Sequence, residues 1–436
     1  MTVFLLESCT QARSGDVNNA TAHYSSALEP AKPEEAGMSS TRLQRIDTFF
    51  QKAIDQGWLP GAVNIIARHG KIVYYKNMGW SDIEGQKRQK KDDLFRLASM
   101  TKAFISVGVM ILYEEGHFLL DDPISDFIPE YKTPRVLVSF NPVDTSYTTQ
   151  PAKREITIRD LLTHTSGIAY GFYDKRFKAI YDKAGIPVRG VEAPITIEKT
   201  MKAMGGLPLK HHPGEEFTYG FNTDLLGYFI ETVSGMNLAE FLDNRLFKPL
   251  GIKDTYFYIP DHKADRLVKV YGEWEKGKLE ALANKGGQFS KTDYPLVGAR
   301  TYFAGGGGMS GTAMDYAIFL QMLLNKGTYN GHRILSPKTV ALMCKNQIGN
   351  VPLGTLGERV IGKNRFGLGF SVATESGSTE KPGSVGRLGW GGTYNTLYWF
   401  DPKEDLLAIS MTQVYPTQHG ELHDKFEVLT YQALVE

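Results

Sequence analysis

The chain reads β at both ends and α in the middle, and few folds accept that order. Early on, GAVNIIARHG and KIVYYKNMGW (61–70 and 71–80) are rich in β-branched and aromatic residues and meet at His69-Gly70, a hairpin signature. Late in the chain FGLGFSVAT, TYNTLYWFD and EDLLAISMTQ return to the β pattern, with Asp401-Pro402-Lys403 turning the last pair. Between them, helical periodicity begins at Ser99 and continues through VGVMILYEEG. It recurs in TIRDLLTHTSGI and NTDLLGYFIETVSG, among long Pro/Gly loops. An amphipathic segment, SSTRLQRIDTFFQKAIDQGW, opens at Ser39 or Ser40 as N-cap, and a last helix is expected over 419–435. The expected architecture is therefore α/β plus α. First and last strands form one antiparallel sheet flanked by the terminal helices, and a largely helical domain is inserted between them. The boundaries read as a disordered leader over 1–34, an α/β domain from 35–121 and 300–436, and a helical insert over 122–299. Functional sites form where two such bodies meet, and Ser99 lies near that junction.

Composition narrows the function. With 436 residues, 22% charged and a net charge of +1, the chain has no field that would attract nucleic acid or an anionic membrane. Its apolar runs fall short of the roughly 18–20 residues that span a bilayer. Two cysteines, Cys9 and Cys344, are a poor basis for a disulfide framework. The start, MTVFLLESC, has four apolar residues in a row and no positive region before them, so no complete signal peptide is read and a cytoplasmic location is expected. The alternative is export or a lipid anchor on Cys9 if the start is truncated, although Glu7 argues against it. Oligomeric state is not legible.

Residues 97–104, LASMTKAF, pair Ser99 with Lys102 at the start of an apolar helical run. Residues i and i+3 share a helix face, so the amine can reach the hydroxyl. In a dry cleft the ammonium is disfavoured, and a neutral lysine can take the serine proton. The spacing alone proves little, because roughly one or two S-x-x-K matches arise by chance in such a chain. Ser378-Thr-Glu-Lys381 is a second, in a turn-like stretch. In isolation, a capping serine beside a solvated lysine fits the same residues. Tyr219 in PGEEFTYGFNTDLLG is a possible third partner, and Trp390-Gly391-Gly392 in RLGWGGTYN suits close approach to bare backbone.

In this order and spacing the segments resemble the serine hydrolases of the class C β-lactamase and penicillin-binding-protein fold, and within them most resemble the family VIII carboxylesterases. The resemblance covers roughly residues 35–435. It rests on Ser99-Met-Thr-Lys102, Leu161-Leu-Thr-His-Thr-Ser-Gly167, Pro213-Gly-Glu-Glu-Phe-Thr-Tyr219, Gly305-Gly-Gly-Gly-Met-Ser-Gly311 and Trp390-Gly-Gly392. It implies Ser99 as nucleophile, Lys102 as its activator and Tyr219 as the second proton-transfer group, with the order of the two bases open. The implied oxyanion hole is the N–H of Ser99 and of Thr393.

Two departures from that family's lactamases bear on substrate. Where they carry Lys-Thr-Gly, this chain has Trp390-Gly391-Gly392, which offers no charge to a substrate carboxylate. Losing a charge-assisted contact costs roughly 1.5–3 kcal/mol. Where they carry Tyr-x-Asn, Tyr219-Gly220-Phe221 places an aromatic, expected to line an acyl pocket, and Asn222 follows one residue late. Tyr170 is expected as another cleft wall. Both changes favour uncharged esters. The expectation is a carboxylesterase acting on short-chain or moderately bulky esters through a Ser99 acyl-enzyme, with no cofactor and no metal. The alternatives are a β-lactamase, a D-amino-acid peptidase, another amide hydrolase, an acyl transferase, or a penicillin-recognising binding module. No G-x-S-x-G is present. His164 reads as structural, His211-His212 lacks ligand spacing, and the glycines at 305–308 are expected to pass beneath the cleft.

Overall fold

The computed structural model describes residues 27–187, 194–285, 290–378 and 381–435. Strand β1 is Glu29–Pro30 and helix α1 is Ser40–Asp55, followed by strands β2 (Gly61–Arg68) and β3 (Lys71–Asp82). Helices α2 (Thr101–Glu114), α3 (Ile158–Leu162), α4 (Asn222–Ser234), α5 (Ala313–Leu324) and α6 (Gly354–Ile361) come next. The chain then returns to the sheet with β4 (Arg365–Phe366), β5 (Ser371–Val372), β6 (Leu388–Gly392), β7 (Thr396–Asp401) and β8 (Leu406–Met411). Helix α7 is Glu421–Tyr431.

Local chemistry accounts for the first of these. The Ser39 side chain accepts from the Arg42 N–H, and α1 buries Leu43, Ile46, Phe50 and Ala53 at helical spacing. His69 and Gly70 both have positive φ, 55° and 71°, the geometry a two-residue hairpin turn needs. Every residue of β2 is buried, as expected of a strand covered on both faces.

One nine-stranded sheet organises the molecule, in the order β1-β3-β2-β8-β7-β6-β5-β4, with Lys87–Arg88 as a ninth strand on β3. Its pairs are antiparallel except β1 with β3. The pairing of β2 with β8, Ile65 opposite Ile409, joins the two ends of the chain as expected. The terminal helices cover one face. There Phe426 of α7 sits edge-on between Phe50 of α1 and Trp399 of β7, at centroid distances of 5.7 and 5.3 Å. Against the other face, Phe104 of α2 packs with Tyr316 and Phe319 of α5 at 5.2 and 4.5 Å.

Several expectations need correction. Residues 1–26, including Cys9, lie outside the described residues, but the expected leader does not extend to 34. Glu29 and Ala31 donate to the Gly70 and Ile72 carbonyls, so this segment belongs to the sheet. FGLGFSVAT is two short strands, split where Gly367 N–H bonds Phe370 O and Gly369 adopts φ 98°. The last helix stops at Tyr431 because the chain turns back, with Val435 N–H reaching Gly37 O. The middle of the chain also carries two hairpins unread from the sequence, Arg135–Phe140 with Tyr147–Pro151 and Tyr271–Glu275 with Lys278–Ala281.

Candidate active site

Ser99 sits just before α2 rather than in it, on the 3₁₀ turn Ala98–Met100. That turn is pinned from neighbouring segments. Leu97 N–H donates to Met309 O, Met309 N–H to Thr101 Oγ1, and Tyr316 hydroxyl to Met100 O. Ala98 takes φ 46°, an uncommon conformation for a residue with a Cβ that costs on the order of 1–3 kcal/mol. The surrounding bonds hold that strain at the residue preceding the hydroxyl.

Three segments distant in sequence meet here. Tyr219 hydroxyl donates to Ser99 Oγ at 2.7 Å, and Lys102 Nζ lies 3.4 Å from the same oxygen. Lys102 also donates to Gly306 O at 2.5 Å and Tyr170 hydroxyl at 3.3 Å. Its side chain is buried, and loss of hydration brings its pKa down to about 7 while Asp224 pulls the other way. Burial pushes the Tyr219 phenol up, opposed by hydrogen bonds with Ser99 and the Trp390 indole. The amine is therefore the group nearer neutrality at physiological pH, and the phenol keeps its proton.

The strand β6 forms the opposite wall. Gly392 passes so close to Leu97 that a Cβ there would stand 2.4 Å from Leu97 O, so glycine lets the strand lie against the segment that carries Ser99. Trp390 packs against Tyr219 with the rings tilted and their centroids 5.5 Å apart. Ser99, Tyr219, Trp390, Gly391 and Thr393 line a cleft of about 530 Å³, which Tyr173 and the cations Arg359, Lys363, Lys381 and Arg387 also line.

Two expected cleft walls lie elsewhere. Tyr170 and Phe221 are buried at 6% and 4% exposure and do not line the cleft. Gly220 turns the backbone tightly against Ile168, where a Cβ would approach the carbonyl oxygen to 2.0 Å, and this carries Phe221 into the core beside Tyr170 and Tyr181. Tyr170 instead points at Lys102. Asn222 faces away from the cleft, accepting from Ser166 and donating to His164 Nδ1 at 2.9 Å. His164 packs against Tyr219 and Phe217, and burial holds its pKa well below the ordinary range. It braces the tyrosine loop.

Asp224 escaped the sequence reading. In the first turn of α4, its buried carboxylate accepts from Gly306 N–H at 3.0 Å and lies 3.4 Å from Tyr170 hydroxyl. Its position after the polar residues Asn222 and Thr223 carries no signal in the sequence. The glycine run is thereby explained. A Cβ on Gly306 would stand 2.2 Å from the Asp224 carboxylate, and one on Gly305 2.5 Å from Thr223 O, so the run threads between α4 and Lys102. His211 and His212 are engaged by Thr218, Lys153 and their own loop. Among the described residues, no group of His, Cys, Asp and Glu is arranged to hold a metal ion, and no helix is long and apolar enough to cross a membrane. Of the second serine–lysine pair, Thr379 and Glu380 lie outside the described residues, and Lys381 pairs with Asp424.

A family model described as Beta-lactamase matches residues 46–432. The chain belongs to the beta-lactamase family. This family member is 30% identical to the lovastatin esterase of Penicillium rubens over 86% of its own length and 94% of that protein. It is 29% identical to Esterase EstB of Burkholderia gladioli over 87% and 92% of the two chains. Among solved structures it is similar to EstCE1, described as a hydrolase with promiscuous acyltransferase activity. The TM-score there is 0.73 at 27% identity, covering 91% of this chain and 99% of that one. It is a serine hydrolase of beta-lactamase fold.

Proposed function

We propose that this protein is a carboxylesterase that hydrolyses short-chain or moderately bulky, uncharged esters through an acyl-enzyme on Ser99. The observation that carries the reading is the convergence of the Ser99 hydroxyl with a buried amine and a buried phenol in a cleft faced by Trp390. In this mechanism Ser99 Oγ attacks the ester carbonyl as its proton passes to neutral Lys102. The N–H groups of Ser99 and Thr393 receive the developing oxyanion, an arrangement worth about 10²–10³ in rate per donor. Tyr219 protonates the departing alkoxide and is reprotonated from Lys102. Water then repeats the sequence on the acyl-enzyme.

The absence of a cation from strand β6 supports uncharged substrates. Trp390 supplies one N–H and an apolar face where related lactamases carry a cation. Of the cations that line the cleft, Lys381 and Arg387 pair with Asp424 and Glu427, and Arg359 and Lys363 are exposed; an exposed ion pair is worth only about 0–1 kcal/mol, less than the buried contact that is missing. Similar proteins named as esterases favour the same chemistry. The promiscuous acyltransferase activity of EstCE1 favours a second reading, in which an alcohol replaces water in the last step.

The test is steady-state turnover of 4-nitrophenyl butyrate, with nitrocefin and an added alcohol as comparisons. Many turnovers per chain are expected, falling at least about 10³-fold in Ser99→Ala. A single-equivalent burst, or nitrocefin hydrolysis of comparable efficiency, would overturn the assignment.

A further inference from the structure

We propose that Asp224 is a positioning residue that, with Tyr170 and the backbone N–H and C=O of Gly306, forms a buried cradle holding Lys102 against Ser99 and fixing its charge state. The proposal deepens the serine-esterase reading and rests on it. The two backbone groups of one residue link the amine and the carboxylate. Gly306 N–H donates to Asp224 Oδ1 at 3.0 Å, and Gly306 O accepts from Lys102 Nζ at 2.5 Å. A second route runs through one hydroxyl, with Tyr170 3.3 Å from Lys102 Nζ and 3.4 Å from Asp224 Oδ2. Asp224 and Lys102 are 4% and 3% exposed, so water does not screen the one from the other.

Glycine at 306 is required for this arrangement. Any side chain there would collide with the Asp224 carboxylate at 2.2 Å and with Tyr170 hydroxyl at 2.6 Å. The groups facing Lys102 are Tyr170, Tyr219, Asp224 and His164, and those facing Asp224 are Lys102, Tyr170, Tyr219 and Tyr302. Asp224 is the acid in this set, and its field opposes the desolvation that drives Lys102 toward neutrality. Asp224 touches no part of the cleft. It acts through the amine.

The experiment uses the full chain and a probe that needs an activated serine but no particular substrate. The rate of Ser99 phosphonylation by a fluorophosphonate, read by intact mass, is followed from pH 5 to 9 alongside kcat/KM for 4-nitrophenyl butyrate. Asparagine at 224 keeps the acceptor for Gly306 N–H and removes the charge. Asp224→Asn is expected to move the acid limb of labelling down by roughly one pH unit, because an opposing charge is gone. A structural role alone would lower stability and leave the limb in place, and an unmoved limb overturns the proposal. Should Asp224→Asn not fold, Tyr170→Phe decides. It is expected to melt within a few degrees of the parent and label at least about fivefold more slowly, since a hydrogen bond to a charged group is lost; labelling at the parental rate overturns the cradle. If the parent labels at Ser99 yet turns over no ester, the esterase reading fails while the labelling profiles still judge this one.

Discussion

In the proposed mechanism Lys102 carries the pH dependence of the site. An ammonium buried against Tyr170, Tyr219 and Gly306 O has few of the contacts that water would give it, and its pKa falls from 10.5 to about 7. A base must be neutral to accept the serine proton. The sign follows: as pH falls through about 7 the amine is protonated and kcat/KM for an uncharged ester declines, about tenfold per unit well below that value. Above it the rate levels off. A profile flat from pH 5 to 8, measured with 4-nitrophenyl acetate, would contradict the assignment of Lys102 as first base. Tyr219 cannot produce that limb, because burial pushes its phenol upward.

At the scale of elements, close backbone approaches set the geometry. The loop before α4 delivers Tyr219 inward to Ser99 and then turns at Gly220 against Ile168. The helix that follows places Asn222 toward His164 and Asp224 toward Gly306. Phenol and carboxylate thus reach the same lysine from one short segment. Gly220→Ala should destabilise the fold by about 1–3 kcal/mol, the range for forcing an atom into a packed site. It should also lower kcat more than it raises KM, since Tyr219 is displaced. Urea unfolding and steady-state kinetics on the same sample read both. Unchanged kinetics would show that the loop absorbs the methyl without moving Tyr219.

Across the whole molecule, the sheet joins what the chain separates. β2 and β8 are paired in register over six residues, from Val63–Met411 to Arg68–Leu406, and α1 and α7 close over them. Phe426 is fully buried between Phe50 and Trp399. Phe426→Ala should cost about 3–5 kcal/mol of stability, the range for a buried aromatic truncated to a cavity. It lies on the face of the sheet opposite α2, so kcat at 20 °C should stay within about twofold of the parent if the native fold persists. Denaturant titration and an ester assay at low temperature separate the two. A large loss of activity without loss of stability would mean the two faces of the sheet are coupled.

Local features were legible in the sequence because their causes are local. The Ser39 cap, the His69-Gly70 turn, the strand periodicities and the serine–lysine spacing each depend on residues within a few positions of one another, and the structure contains all four. The order of five motifs pointed to the family for the same reason. The hairpin at Arg135–Phe140 and Tyr147–Pro151 was missed because most of its residues are exposed and carry no alternating apolar signal. Tyr170 and Phe221 read as cleft wall from the sequence because an aromatic looks alike in a wall and in a core. Asp224 could not be singled out, since nothing near it in sequence shows that Gly306, more than eighty residues away, will present its peptide to that carboxylate. Sequence determines which groups a segment can offer. Which of them lose their water and face one another is decided only when distant backbones pack, and charge states respond to that burial more strongly than to any neighbour along the chain.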